Sequence, residues 1–598
     1  MSARREFALG ALAFAAALLF LETGIRVGPD RDSPLFFIDE AHKLGETYYW
    51  HLFAEQRDVA NPDWTGDFYA RTNPPVAKYL YGASLALAGV HVRDRQLQAD
   101  FESYWRQSAE LRKRVPDAML RVARRTSAAF AAATCALLFV IGRRAGGTLV
   151  GAGAVLLFVG HQMVQQQARL GVTDGVLMFF MAAIAPATLL AARSLREHVR
   201  VPGRQGAGAW LRLLLSSVAL PGVLIALAAG TKLTGALGAV VYAPCVVLAL
   251  LSMDSQVSRT RRIGLALLAV ALTGAVAVAF FVAIDPYYYH DPVSRLLGTL
   301  RTYRDWTQVQ QVDPGIGLFG LRERMAVVGQ FGLRSATLPL AEILGRPGMW
   351  LTTLGFSAGL VGLIGRAYRG LRAGDPDPAI VLLWTAVCLV GITGWLPLTW
   401  ERYLLLPYLA ICLVTAAGLV ELVRGAWAAA VALGSRRLPA GWIAAAGLTV
   451  ALWLVVTFTS WVIAPELVHP SASIVVDSRR QREWYLDALW RSRVDSVELL
   501  RNRALVLAHA GRHDEALPLL EKALERLSRE RAAPVRQAVL LREIARSQQA
   551  LGDDAAASAS LRERASALRV LAAAMVSDET SIRAAYEAQI HHDEGSGD

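Results

Sequence analysis

Cysteine is scarce, four in 598 residues, and Cys135, Cys245, Cys388 and Cys412 each lie inside an apolar run without CxxC or Cys/His spacing. That excludes a disulfide framework and gives no thiolate zinc site. Charge is also sparse: Asp, Glu, Lys and Arg make up 19% of the chain against 54% hydrophobic residues, and the mean hydropathy is +0.35. A soluble domain is about 45–50% apolar and lacks repeated apolar runs of roughly 20 residues. This chain has many such runs, so it reads as an integral membrane protein. Acidic residues are outnumbered, giving a net charge of +12 and a pI near 9.7. The excess Lys and Arg sit mostly in short loops between apolar runs, where they record topology. Nucleic acid is therefore not an expected partner.

What is present is a polytopic pattern. A window near bilayer thickness gives about eleven spans, near 7–27, 118–141, 149–167, 173–192, 211–229, 234–252, 263–284, 348–365, 379–397, 403–421 and 441–463. Phe7 to Leu21 is long and lacks a small-residue cleavage site, so it reads as an uncleaved first span. Arg4-Arg5, Arg143-Arg144, the Arg193 to Arg212 stretch, Arg259 to Arg262, Arg366 to Arg372 and Arg424 to Arg437 then fall on one side, the cytoplasm, with the N-terminus. Arg121, Arg124 and Arg125 run against this bias and read as snorkelling residues. Residues 28–117, 285–347 and 464–598 fall on the outer face of a plasma membrane. Within the first of these, 74–90 reads as a helix along the outer membrane surface, opened by Pro74-Pro75. Lone His161 reads as an interface residue.

After Ile463 long apolar runs stop and Ala, Leu, Glu and Arg dominate. Small residues in Ala504 to Leu524 recur where two antiparallel helices would pack closely, as in a tetratricopeptide repeat, with a looser copy at Ala545 to Leu561 and Gly552 at its turn. The expected fold class is therefore all-α: a membrane domain, 1–465, and an extracytoplasmic helical-repeat domain, 466–598. Such repeats present concave surfaces, so a protein partner or the acceptor is expected there. His591 and His592 near the end read as solvated.

Five polar constellations sit at the outer ends of the spans: Asp39-Glu40 in FIDEAHKLGETYY; Asn73 to Lys78; Arg169 with Asp174; Lys232; and Arg402-Tyr403 with Pro407. Charges gathered on one membrane face describe a polar site rather than ordinary loop residues. A carboxylate can accept the proton of an incoming hydroxyl while Lys and Arg stabilise a departing phosphate. Arg offers a bidentate fork and Lys a mobile point charge. Plainer readings stand beside these. Asp39-Glu40 suits a helix start, Asn73-Pro74-Pro75 a helix-start turn, Arg169-Asp174 a structural ion pair, and Lys232 and Arg402 snorkelling. Asp285-Pro286-Tyr287-Tyr288-Tyr289 suits either sugar stacking or an interfacial aromatic belt.

Taken in order, these elements resemble the GT-C membrane glycosyltransferases, particularly the protein O-mannosyltransferase and aminoarabinose (lipid A) transferase branch. Phe37-Ile38-Asp39-Glu40-Ala41-His42 is similar to the acidic motif of that family's first outward loop. Asn73-Pro74-Pro75-Val76-Ala77-Lys78 is similar to its His-Pro-Pro-Leu-x-Lys element, with Asn73 where the family has His or Lys. Arg169 with Asp174 matches an Arg-x-x-x-x-Asp element, Thr231 to Gly235 a Thr-Lys-Tyr-Thr-Gly-like element, and Arg402-Tyr403 an Arg-Tyr element.

The resemblance covers roughly 5–465. It implies a single inverting displacement with Asp39 as the general base or the acceptor-orienting carboxylate, and with Glu40 positioning Asp39 or a sugar hydroxyl. Lys232, Arg402 and Arg169 would hold a polyprenyl phosphate, with Lys78 beside them, and Asn73, Asp174 and Tyr403 would complete the substrate site. It implies no metal and no cofactor. The implied partners are a polyprenyl-phosphate-linked sugar, membrane lipids and a protein, lipid or glycan acceptor. Rival classes are a secondary transporter or lipid translocase, and a non-catalytic scaffold displaying its repeats. The charges cluster at one interface and no paired internal repeat is evident, which disfavours a transporter. With single cysteines placed at Ser473 and Ser194, a membrane-impermeant thiol reagent should label the two positions from opposite sides. Labelling of both from one side would overturn the span order.

Overall fold

The computed structural model describes residues 3–23, 38–94, 115–200, 206–253, 257–312, 318, 320–335, 338–398, 401–432, 497–509, 511–529, 534–575 and 580–595. Among the described residues the regular elements are all helices. Eight are long and apolar enough to cross a membrane: Asp117–Gly146, Thr173–Arg200, Ala207–Thr231, Leu233–Leu251, Arg259–Ile284, Arg346–Arg372, Asp377–Trp395 and Arg402–Gly425. Two shorter apolar helices, Phe7–Glu22 and Thr148–Gly160, fall on the expected spans 7–27 and 149–167. The expected span at 441–463 lies outside the described residues, so the count of eleven remains an expectation.

The third expected span stops early. His161 takes an extended conformation after Gly160, and its Nδ1 accepts the Met163 N–H at 3.1 Å before the chain resumes as Gln162–Ala168. Its ring is fully buried, 4.8 Å from the Phe331 ring and 4.6 Å from that of Tyr408. This corrects the reading of His161 as an interface residue: burial among aromatic faces is what an uncharged imidazole tolerates.

Helix direction alternates along the chain, so the basic loops share one face. There they tie helices together: Arg193 to Asp377, Arg366 to Glu421, Arg424 to Glu421 at 2.9 Å, and Arg262 to the Leu250 carbonyl at 3.0 Å. The opposite helix ends carry Asp174, Lys232, Asp285 and Arg402.

Helix Val76–Leu87 has 12 residues, about 18 Å at 1.5 Å per residue, too short for a hydrocarbon core of about 30 Å. Pro75 is its N-cap. It is wedged among the outer helix ends, with Val76, Ala77, Lys78, Tyr81, Gly82 and Leu85 buried. Tyr81 donates to the Val172 carbonyl at 2.8 Å and shares a 2.6 Å hydrogen bond with Ser127.

Arg346–Arg372 and Leu405–Ala432 cross closely because glycine leaves the backbone bare. A Cβ added at Gly359 would lie 1.8 Å from the Val414 carbonyl oxygen, and one at Gly418 1.7 Å from that of Gly355. Small residues at such crossings drive helix association in lipid, where no hydrophobic effect acts between helices.

After Ala432 the described residues form five helices: Val497–His509, His513–Arg529, Pro534–Ala550, Asp554–Ala573 and Thr580–Gly595. Gly511 and Gly552 take φ of 77° and 81° at the turns within the first two pairs, the left-handed conformation that glycine adopts without a Cβ penalty. The expected turn at Gly552 is where the structure has it.

Gly418→Leu should separate the Arg346–Arg372 and Leu405–Ala432 helices, costing about 1–3 kcal/mol or more. Thermal unfolding in detergent, followed by size-exclusion chromatography, should show a lowered midpoint and loss of the monodisperse peak, whereas Gly365→Ala, at a position with open space, should not.

Candidate functional site

The outer loop folds its polar residues onto one carboxylate. Glu46, one residue past helix Ile38–Gly45, is fully buried. It accepts from Lys43 Nζ at 2.7 Å and from Asn73 Nδ2 at 2.8 Å, with His42 Nε2 at 2.8 Å and Lys78 Nζ at 3.7 Å. Burial pushes the Glu46 carboxyl up, but Lys43, Lys78 and His42 together hold it well below the usual carboxylate range. Burial likewise drives His42 down, against the opposing pull of Glu46. Lys78, itself buried, donates to the Tyr69 carbonyl at 3.0 Å and lies 4.6 Å over the Tyr49 ring. Asn73 and Lys78 are thus brought together by Glu46, which sequence reasoning missed. The available signal was its spacing, three residues after Lys43 and four after His42.

Glu40 is fully buried in a different arrangement. Arg124 holds it with a two-pronged contact, Nε to Oε1 at 3.0 Å and Nη2 to Oε2 at 2.7 Å, and the Gly171 N–H donates to Oε1 at 2.8 Å. This corrects the snorkelling account of Arg124, which is 5% exposed and points inward to a carboxylate. Such a planar fork pins both partners in orientation. Glu40 therefore anchors helix Ile38–Gly45 to Asp117–Gly146 and to the segment before Thr173. The Asp39 side chain lies outside the described residues.

A second cluster forms where distant helices end. Lys232, extended after helix Leu220–Thr231, donates to Asp174 Oδ1 at 2.8 Å and lies 4.2 Å over the Tyr403 ring. The Arg402 guanidinium carbon is 5.7 Å from the same ring. A pocket lined by Asp174, Lys232, Thr234, Trp395, Arg402 and Tyr403, with Leu177, Met178, Ile392, Leu405 and Leu406, opens between them. Four of the residues singled out from the sequence, Asp174, Lys232, Arg402 and Tyr403, meet here. Arg169 does not join them: its Nε donates to the Leu21 carbonyl at 3.2 Å and its guanidinium lies 5.5 Å over Phe20. The expected Arg169–Asp174 pairing is replaced by Lys232–Asp174.

Tyr303 stands between the two clusters. Its hydroxyl donates to the Thr72 carbonyl, one residue before Asn73. Burial raises its pKa, and Tyr403 and Glu46, one from each cluster, push it further the same way. Asp285, the first residue after Arg259–Ile284, is 2% exposed and accepts from the Tyr287 N–H at 3.1 Å. Burial lifts it to about 7, against the pull of Lys78.

Residues 54–292 match the family model of dolichyl-phosphate-mannose-protein mannosyltransferases, and residues 495–569 match a tetratricopeptide-repeat model. Asn73, Lys78, Arg169, Asp174, Lys232 and Asp285 lie within the segment that matches the mannosyltransferase model; Asp39, Glu40, Glu46 and Arg402 lie outside it.

Two of the solved structures that the chain matches are compared by their overlap alone. One is the oligosaccharyltransferase AglB from Archaeoglobus fulgidus in complex with an inhibitory peptide and a dolichol-phosphate, at 13% identity and TM-score 0.43, over 78% of this chain and 56% of that one. The chain thus spans little more than half the length of AglB. The other is ArnT from Cupriavidus metallidurans bound to undecaprenyl phosphate, at 16% identity and TM-score 0.39, over 99% of this chain and 88% of that one. No curated protein matches the chain.

Because the folded pKa of Asp285 lies above its ordinary 3.8, the folded state binds this proton more tightly than the unfolded chain does. The group therefore stabilises the fold at low pH, and that contribution declines as pH rises from 3.8 to about 7. Asp285→Asn keeps an oxygen for the Tyr287 N–H and should remove this decline, on the order of 4 kcal/mol at most. Denaturation midpoints from pH 5 to 8 should be flatter in the variant; identical slopes would refute the shift.

Proposed function

We propose that this protein is a membrane glycosyltransferase that moves a monosaccharide from a polyprenyl-phosphate donor to a hydroxyl of a protein, lipid or envelope-glycan acceptor, with inversion, on the outer face of the plasma membrane. The observation that carries the reading is the meeting of Asp174, Lys232, Arg402 and Tyr403 from separate helices at one pocket. That pocket lies on the same side as the Glu46 cluster, in a chain whose residues 54–292 match a glycosyltransferase family.

In this reading Lys232 and Arg402 donate to the phosphate oxygens of the donor. Asp174 holds Lys232 in place, and the Tyr403 ring shields both cations from water, which strengthens their hold on developing negative charge. Asp39 takes the proton of the acceptor hydroxyl as the new bond to the anomeric carbon forms. The bond from that carbon to the phosphate oxygen breaks with its electron pair, and the lipid phosphate leaves. Glu40, locked to Arg124 and the Gly171 N–H, sets the direction of its neighbour Asp39 and touches no substrate. Asn73 and Lys78, organised by Glu46, face the sugar or the second side of the phosphate. The basic loops on the opposite face support a cytoplasmic location for that face and for the N-terminus.

Transfer from a panel of polyprenyl-phosphate sugars, measured in proteoliposomes, tests this. Asp39→Asn should lower kcat by about 10²–10⁴-fold with donor binding retained. Lys232→Ala should lower kcat/KM by about 10²–10³-fold, and Lys232→Arg should recover part of it. Full transfer by Asp39→Asn would refute the assigned base.

A further inference from the structure

The repeat helices are not displayed away from the membrane domain. The first helix of each pair approaches the outer loops: Val497–His509 through Arg501, and Pro534–Ala550 and Thr580–Gly595 against helix Pro292–Val312. Arg501 Nη2 donates to Glu323 Oε1 of helix Leu321–Leu333 at 2.5 Å, with both side chains buried. Val535, Leu568, Tyr586 and Ile590 form one apolar cluster with Phe68, against which Trp306 packs. Phe68 and Trp306 meet edge to face with ring centroids 6.1 Å apart.

The same helix Pro292–Val312 also holds the loop that bears the polar cluster. Thr299 Oγ1 donates to the Arg71 carbonyl at 3.2 Å, and Tyr303 donates to that of Thr72. Asn73, which reaches Glu46, follows directly. An unbroken run of contacts therefore leads from the repeats through Phe68, Trp306 and Tyr303 to Asn73 and Lys78. Helical repeats ordinarily offer a surface to a partner; here Pro534–Ala550 and Thr580–Gly595 meet a helix of the same chain.

We propose that the repeat region takes helix Pro292–Val312 as its ligand in cis, and that this docking is a positioning device that holds residues 68–78, and with them Asn73 and Lys78, in register with Glu46. The buried Arg501–Glu323 pair fixes the orientation of the joint, since either charge left alone in that contact is disfavoured. The consequence for substrate binding rests on the transferase reading, whereas amide exchange does not, so the two fail separately.

The test uses the full chain in detergent or nanodiscs with hydrogen–deuterium exchange. Arg501→Glu sets two carboxylates against each other, and Ile590→Asp puts a charge into the apolar joint. Both should raise exchange across residues 68–78 at least tenfold, and the swap Arg501→Glu with Glu323→Arg should return it toward the wild-type rate. Where transfer is measurable, the single variants should raise KM more than they lower kcat. Wild-type exchange at 68–78 in both single variants would overturn the proposal. So would increased exchange confined to residues 497–595, which would make the repeats an independent module open to a partner in trans.

Discussion

A carboxylate stripped of water must be answered by cations or N–H donors, and the outer half of this protein is organised around two such answers. Glu40 and Glu46 are both fully buried. Neither can be satisfied by its own helix. Glu40 requires Arg124 and the Gly171 N–H, from segments 84 and 131 residues away. Glu46 requires Asn73 and Lys78 as well as its neighbours His42 and Lys43. Because an uncompensated buried charge costs several kcal/mol, these contacts fix where the outer loop lies on the membrane helices. The same contacts place Asn73 and Lys78.

The second cluster obeys the same constraint more sparingly. Lys232 and Asp174 neutralise each other across two helices, and the Tyr403 ring lies over the ammonium. Arg402 adds a further cation to the lining. Among the described residues that line it, the pocket holds Lys232 and Arg402 against the carboxylate of Asp174, a balance suited to an anionic ligand. Tyr303 feels charges from both clusters and donates to the loop of the first, and the helix that carries it packs against the repeat helices.

Much of the architecture was legible in the chain. Apolar run length gives the membrane helices, because backbone polar groups in hydrocarbon must be satisfied within a helix. The Arg-rich loops give their alternation, and the small-residue spacing after Ala504 gives a repeat region that the family comparison finds over 495–569. Of the site, Asp174, Lys232, Arg402 and Tyr403 were named from sequence and do converge. Arg169 was named with them and does not, since its guanidinium turns to Leu21 and Phe20. The roles of Arg124 and Tyr303 went unread because each comes from a partner far along the chain, and no local spacing reports a contact across 84 or 231 residues; Glu46 did leave a local trace in its spacing from His42 and Lys43.

The sequence by itself determined the environment and the alternation of the helices: bilayer thickness sets helix length, and short basic loops mark where helices turn back, both properties of short segments. Only the tertiary structure decided which charges meet. Lys232 took Asp174 in place of Arg169, Glu40 took Arg124, and the repeat face took a helix of its own chain. The physical reason is that ion pairing and apolar burial act over a few ångströms in space, and the fold alone sets which residues lie within that reach.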